Sequence, residues 1–299
     1  MTFRPSAPLT GAASGAAVVA AAVLLAAVLL ATAVGWDIST AKFLAFVGAF
    51  VLLAVAALFG YWTYALSTLS YDLSADGLTI RWGLLRQFVP LASIQRFVPG
   101  REMRLPQVHG LSWWGCHVGR GTVEGLGNTL FYSTHRSPWE AIYIVTPDIA
   151  YAVSPENHVR FSMELQHLMR ETARDESGLA RPRAAHPALA IHPFWLDRHG
   201  QLLALAVITA NVALFGFVCG VYPGLADDIN LAFPPLGATD LRAKSDLFQI
   251  PLTALALLAV SLAAALAVHK WERAASYLLL AGAAVSQGVL WVAAAIAVT

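Results

Sequence analysis

The chain has 299 residues, of which 58% are hydrophobic and only 12% charged, whereas an ordinary soluble chain carries about 25% charged residues. Its formal net charge of +1 creates no global field that would draw nucleic acid. Its two cysteines, Cys116 and Cys219, exclude a disulfide framework and a cysteine-based zinc ligand set.

The charges are absent in blocks. No Asp, Glu, Lys or Arg lies between Arg4 and Asp37, Lys42 and Asp72, Arg198 and Asp227, Asp246 and Lys270, or after Arg273. Each gap contains an apolar run of about 20 residues, enough for a helix to cross a bilayer core. Five transmembrane helices are therefore expected, at about 16–36, 43–66, 201–222, 250–268 and 275–297. The first run exceeds a typical signal-peptide core and reads as a retained signal-anchor. The second ends in Tyr61, Trp62 and Tyr64, rings that favour the headgroup layer.

No span carries an acidic or basic side chain, which argues against a proton-coupled transporter with an intramembrane relay. Asn211 and Gln287 are expected to hydrogen-bond between helices. Ala281, Gly282, Ala283, Ala284 and Gly288 are expected to let helices approach closely.

Orientation follows basic residues. The segment between the second and third spans carries thirteen Arg, from Arg81 to Arg198. The loop between the third and fourth spans is acidic, with Asp227, Asp228, Asp240 and Asp246 against Arg242 and Lys244. The expectation is a multi-pass cell-membrane protein with its N-terminus and large insert in the cytoplasm, and the acidic loop and C-terminus outside. The expected organisation is a pair of membrane helices (1–67), the insert (68–174), an Ala/Arg/Pro-rich and partly disordered linker (175–199), and three further helices (200–299) with an external loop at 223–249.

Within the insert, alternation around Asp76-Gly77 predicts a hairpin, with Tyr71 and Leu73 on one strand and Leu78, Ile80 and Trp82 on the other. A third strand is expected at 86–89, a helical turn at 91–94 and a fourth strand at 95–98. The stretch 99–127 is punctuated by seven glycines and reads as irregular. Three more strands are expected at 129–133, 140–145 and 149–153. A final helix should be capped by Ser154, with Pro155 in its first position and a stripe of Val159, Phe161, Leu165, Leu168 and Met169.

Seven strands followed by one amphipathic helix is the order of a pleckstrin-homology barrel. The chain resembles the bacterial pleckstrin-homology-like domain family of membrane proteins. The resemblance is carried by Tyr71-Asp-Leu-Ser-Ala-Asp-Gly-Leu-Thr-Ile-Arg81, Val89-Pro-Leu-Ala-Ser-Ile94, Gly115 with Gly119, Leu130-Phe-Tyr-Ser-Thr134, Tyr143-Ile-Val-Thr146, and Tyr151-Ala-Val-Ser-Pro155 leading to Phe161. It implies an inserted cytoplasmic barrel capped by a helix, and it supplies no catalytic residues. Tyr222-Pro223, Asp227, Leu231, Phe233, Gly237, Asp240, Lys244, Leu247-Phe248 and Pro251 resemble, more weakly, a small bacterial membrane domain of unknown function that accompanies some peptide-toxin immunity proteins. The histidine of that domain's usual His-Phe pair is Ala232 in this chain.

Three sets of candidate residues follow. Arg81 and Arg86, in the first strands of the insert, are candidates for contact with anionic lipid, each adding about 1 kcal/mol near a charged surface. Arg101, Arg104, Trp113, Trp114 and Arg120 combine residue types enriched at interface hot spots and are candidates for a protein interface. Asp227, Asp228 and Asp240 are candidates for an external-loop site.

Catalytic chemistry finds no support. Neither a Gly-x-Gly-x-x-Gly between strand and helix nor a Gly-Lys-Ser/Thr occurs, and no Gly-x-Ser-x-Gly elbow is present. Adjacent Cys116 and His117 point to opposite faces of a strand. The histidines of the linker, His186, His192 and His199, match no metal template. No cofactor, metal or enzyme activity is expected. The expected function is a membrane scaffold or sensor that presents the insert to a protein partner or to its own oligomer, with membrane lipids as surroundings and no nucleic acid. The alternative is an envelope-stress or toxin-immunity-type protein acting through the external loop, and a small-solute transporter is a third reading.

Overall fold

A computed structural model describes residues 1–6, 8–102, 108–113, 115–135, 140–172, 183–185, 193–231 and 240–298. Residues such as Arg104, Trp114, His186, His192 and Phe233 lie outside them. Two short backbone pairings and two long apolar helices begin the chain: strand β1 (Thr2–Phe3), helix α1 (Pro8–Val34) and helix α2 (Thr40–Ser67). The insert contributes β2 (Ser70–Leu73), β3 (Gly77–Trp82), β4 (Leu85–Pro90), a 3₁₀ turn (Leu91–Ser93), β5 (Arg96–Pro99), β6 (Val108–Trp113), β7 (Cys116–Val123), β8 (Gly127–Ser133), β9 (Ile142–Val145), β10 (Ala150–Val153) and helix α3 (His158–Thr172). Then come β11 (Arg183–Ala185), α4 (Arg198–Val221), β12 (Asp228–Asn230), β13 (Leu241–Ala243), α5 (Gln249–His269) and α6 (Arg273–Ala297).

Five helices are long and apolar enough to cross a membrane: Thr10–Val34, Thr40–Ser67, Arg198–Gly224, Lys244–His269 and Arg273–Ala297. The chain divides into two compact units. One comprises Met1–Leu24 and Leu53–Pro187, and the other Leu25–Leu52 and Ala188–Thr299.

In the first unit, one sheet has the order β1-β2-β3-β4-β11 and the other the order β5-β9-β10-β8-β7-β6. All neighbours are antiparallel except β8 and β10. Alternation along β3 buries Leu78, Ile80 and Trp82 and turns Arg81 outward. Tyr71, Ile80 and Val89 of one sheet, Ile142, Ile144, Tyr151 and Val153 of the other, and Phe161 and Leu165 of α3 share one apolar core. Burial of this kind supplies about 1.5–3 kcal/mol per large side chain.

The structure adds to these expectations and revises some of them. Where irregular chain is expected in the stretch 99–127, its described residues form the β6–β7 hairpin. Its glycines are what make that pairing close: Gly110 lies opposite Gly119, and a Cβ on Gly110 would fall 2.8 Å from the Val118 carbonyl oxygen. The insert therefore holds the strands β2 to β10 rather than seven.

The residues before the first span join the insert's sheet, Thr2 pairing with Asp72 and Phe3 with Tyr71. Part of the linker, Arg183–Ala185, forms an edge strand against β4. Finally, α3 begins at His158. Asn157 caps it by accepting from the Arg160 amide at 2.9 Å, while the Ser154 hydroxyl accepts from the Thr134 amide at 2.7 Å.

In the second unit, α4, α5 and α6 pack through small buried residues, among them Ala254, Ala265, Ala283 and Ala294. The interhelical role expected of the two amides is present. The Asn211 amide nitrogen donates to the Gln287 side-chain oxygen at 3.4 Å and to the Pro251 carbonyl at 3.5 Å. Gln287 in turn donates to the Ala254 carbonyl at 2.9 Å. Such bonds bring polar groups together where lipid offers none.

Candidate functional site

The segment before α1 and the end of α2 hold the insert in place. Leu73 donates its amide to the Met1 carbonyl, Glu156 to Arg4 and Ser6 to Ser154, each at 2.8 Å. Phe3 is buried and its ring meets Phe161 of α3 edge-on, with centroids 5.2 Å apart. Trp113 is half-buried between Phe59 and Trp62 of α2, at 5.7 and 5.8 Å, and its indole N–H donates to the Gly11 carbonyl at 3.2 Å. Trp113 therefore serves an internal contact. Arg120, opposite His109 in the β6–β7 hairpin, is exposed. Arg101 is exposed in the 3₁₀ turn after β5.

Arg101 instead lines a groove of about 1040 Å³ between β5 and α3, with Phe97, Ile142, Val159, Ser162 and Met163 among its other lining residues. The groove arises from the phase of α3. Phe161, Leu165 and Leu168 recur at the spacing of one helical face and turn to the core. Val159 and Met163, four residues apart, form a second face that is 71% and 67% exposed. The sequence stripe places Val159 with the buried residues, but it falls off the Phe161–Leu165 face and stands exposed. The His158 ring N–H donates to the Glu140 carbonyl at 2.6 Å and fixes the start of the helix beside the groove.

The lipid candidates stand elsewhere. Arg81 and Arg86 are directly opposed on β3 and β4, and both are exposed. Arg81 pairs with Asp72 at 2.7 Å, and Asp72 also accepts from the Thr2 hydroxyl at 2.6 Å. In the β12–β13 loop, Asp227 pairs with Lys244 at 2.9 Å, which holds its carboxyl below the usual range. Asp240 accepts two hydrogen bonds from Arg242, at 2.9 and 3.0 Å. Asp228 is exposed and paired across the hairpin with Ala243. Two of the three loop carboxylates are thus engaged by local cations.

Sequence reasoning missed two polar clusters. In the insert, the Tyr71 hydroxyl donates to the Tyr132 carbonyl at 2.7 Å and accepts from the Ser154 amide at 3.2 Å, and burial pushes its pKa up to about 12. Nearby, the His135 and His117 rings stack at 4.4 Å, and His135 shares a 2.7 Å hydrogen bond with Ser133. Burial, with His117 adding to it, pulls the His135 pKa down to about 4. Cys116 beside them is buried, and that burial pushes its thiol up to about 12, the state of an unreactive core cysteine.

The second cluster lies at one end of α4. The Asp197 carboxylate caps the helix by accepting from the His199 amide at 3.1 Å. It also accepts from the Tyr277 hydroxyl at 2.6 Å and lies 3.5 Å from His269 Nε2. The Tyr277 hydrogen bond is the main cause of its lowered pKa. Among the described residues, no three His, Cys, Asp or Glu side chains are grouped so that they could hold a metal ion.

Two sheets sharing a core with one C-terminal helix define the class of domain presented by these membrane-length helices. Residues 69–169 match the bacterial PH domain family. The chain therefore contains a bacterial PH domain, bounded by β2 and the end of α3. No curated protein and no solved structure matches the chain.

Proposed function

We propose that this chain is an integral membrane scaffold or sensor that presents its PH domain to a protein partner or to a second copy of itself, through the groove between β5 and α3. The observation that carries this reading is a division of surfaces. β1 and Phe3 attach the domain to the segment before α1, and Trp113 attaches it to α1 and α2, while Val159 and Met163 remain exposed beside an open cavity. A contiguous exposed apolar surface rimmed by polar residues is a common mark of an interaction site. The chemistry is that of binding rather than catalysis. The basic residues of the insert and the acidic loop support a cytoplasmic PH domain and an external β12–β13 loop.

A photo-crosslinking residue placed at Met163 of the full chain tests this in native membranes, with Glu124 in the β7–β8 turn, which does not line the groove, as control. A protein adduct is expected at 163 and not at 124, and it should be lost when Val159→Glu is added. Equal labelling at both positions, or an adduct indifferent to Val159→Glu, would remove the groove from the account.

A further inference from the structure

In the second unit, the start of α5 and the end of α6 enclose a cavity of about 290 Å³ beside the β12–β13 hairpin. One wall is polar. Asp246 lies in the 3₁₀ turn Lys244–Phe248 that leads into α5, and Gln249 and Thr253 follow it at spacings of three and four, the spacing of one helical face. All three line the cavity. The other wall is apolar. Leu290, Ala293 and Ala297 of α6 repeat the same spacing and line it from the opposite side.

The polar wall is uncommitted. Among the described residues, the side chains of Asp246, Gln249 and Thr253 make no hydrogen bond and no ion pair. Hydroxyls elsewhere in the membrane-length helices bond back to their own helix, as Thr32 does to the Val28 carbonyl and Ser286 to the Gly282 carbonyl. At the rim, Arg242 is held by both oxygens of Asp240, and Asp246 acts on it only at longer range. Asp240 and Arg242 thus cancel, and the charge of Asp246 remains. The helix ends add to it. α6 finishes at Ala297 with no basic residue in its last turn, so its negative dipole end meets no cation there. The positive end of α5 is offset by Asp246 itself. The cavity therefore favours a single positive charge.

We propose that this cavity binds a primary ammonium group carried on a small apolar body. An ammonium has three N–H donors, and the polar wall offers three acceptors: the Asp246 carboxylate, the Gln249 amide oxygen and the Thr253 hydroxyl. Leu290, Ala293 and Ala297 receive the hydrocarbon part. The volume lies at the bottom of the range for ligand pockets, about 300–1,000 Å³, so the body is small. A soluble amine and the ethanolamine headgroup of a phospholipid share this chemistry. Asp227 and Asp228 do not line the cavity, and the proposal does not depend on the groove of the PH domain.

Calorimetric titration of the full chain in phosphatidylcholine nanodiscs, with empty nanodiscs subtracted, provides the test. The probe is benzylammonium, and benzyl alcohol is its uncharged counterpart. Benzylammonium should bind at least about tenfold more tightly than the alcohol. Asp246→Asn should weaken it at least about tenfold, the scale of one hydrogen bond to a charged group. Thr253→Val, which leaves the start of α5 untouched, should weaken it about threefold, the scale of a neutral hydrogen bond. Asp228→Asn, outside the cavity, should change nothing. The titration is repeated with phosphatidylethanolamine in the nanodiscs. Competition by that lipid supports the site and names a headgroup as its source, and unchanged binding supports it with a soluble amine. Equal affinity for benzylammonium and benzyl alcohol would overturn the proposal. So would benzylammonium binding that is the same in Asp246→Asn, Thr253→Val and Asp228→Asn.

Discussion

Phe3 packs against Phe161, so a residue preceding the first membrane-length helix completes the core under the helix that ends the PH domain. The domain core is therefore built from both sides of the α1–α2 pair in sequence. Phe3→Ala removes a buried ring and is expected to destabilise the domain by about 3 kcal/mol, the lower part of the range for Phe-to-Ala core truncations. Thermal unfolding of the full chain in detergent, followed by proteolysis of the insert, measures this. Thr2→Ala loses only an exposed hydrogen bond to Asp72 and should change little.

Tyr71 ties the two sheets together through its hydroxyl, which bonds Tyr132 on β8 and Ser154 after β10. Tyr71→Phe preserves the ring and leaves a buried carbonyl and a buried amide short of a partner. The expected loss is about 1–3 kcal/mol, visible as a lower urea midpoint with an unchanged slope.

His135 makes the PH domain acid-sensitive. Its folded pKa of about 4 lies below the ordinary 6.5, so the unfolded chain takes up a proton that the native state refuses. Stability from this group is complete above pH 6.5 and is lost as the pH falls through the folded value, at about 1.4 kcal/mol per unit of pKa difference. The midpoint temperature should fall between pH 6.5 and 4, and His135→Gln should flatten that fall. An equal slope in both proteins would show that other groups cause it.

Gln287 bridges α6 to α4 and α5. Gln287→Leu should destabilise the three-helix unit by about 0.6–1.7 kcal/mol, the scale measured for interhelical hydrogen bonds in membranes, as read by unfolding in mixed micelles. The PH domain, in the other unit, should melt unchanged.

The sequence announces some of these features and conceals others for physical reasons. The five membrane-length helices are legible because charge is excluded from each over a full bilayer width. The roles of Asn211 and Gln287 are legible because isolated amides in such helices need partners. The β6–β7 hairpin is hidden because Gly110 and Gly119, which allow its strands to approach, look like breaks in an alternating pattern. Strand β1 is hidden because two residues carry no periodicity, and its partner lies about seventy residues away. The groove is hidden because it joins β5 to a face of α3 from a distant part of the chain. Within α3 only the offset of Val159 and Met163 from Phe161 and Leu165 hints at it.

The most direct test of the account is hydrogen exchange of the full chain, compared between native membranes and the purified protein. If the groove is where a partner or second copy engages, peptides covering β5 and the first half of α3 should exchange more slowly in native membranes, while those covering the β7–β8 turn stay the same. Identical exchange of β5 and α3 in the two preparations would contradict it.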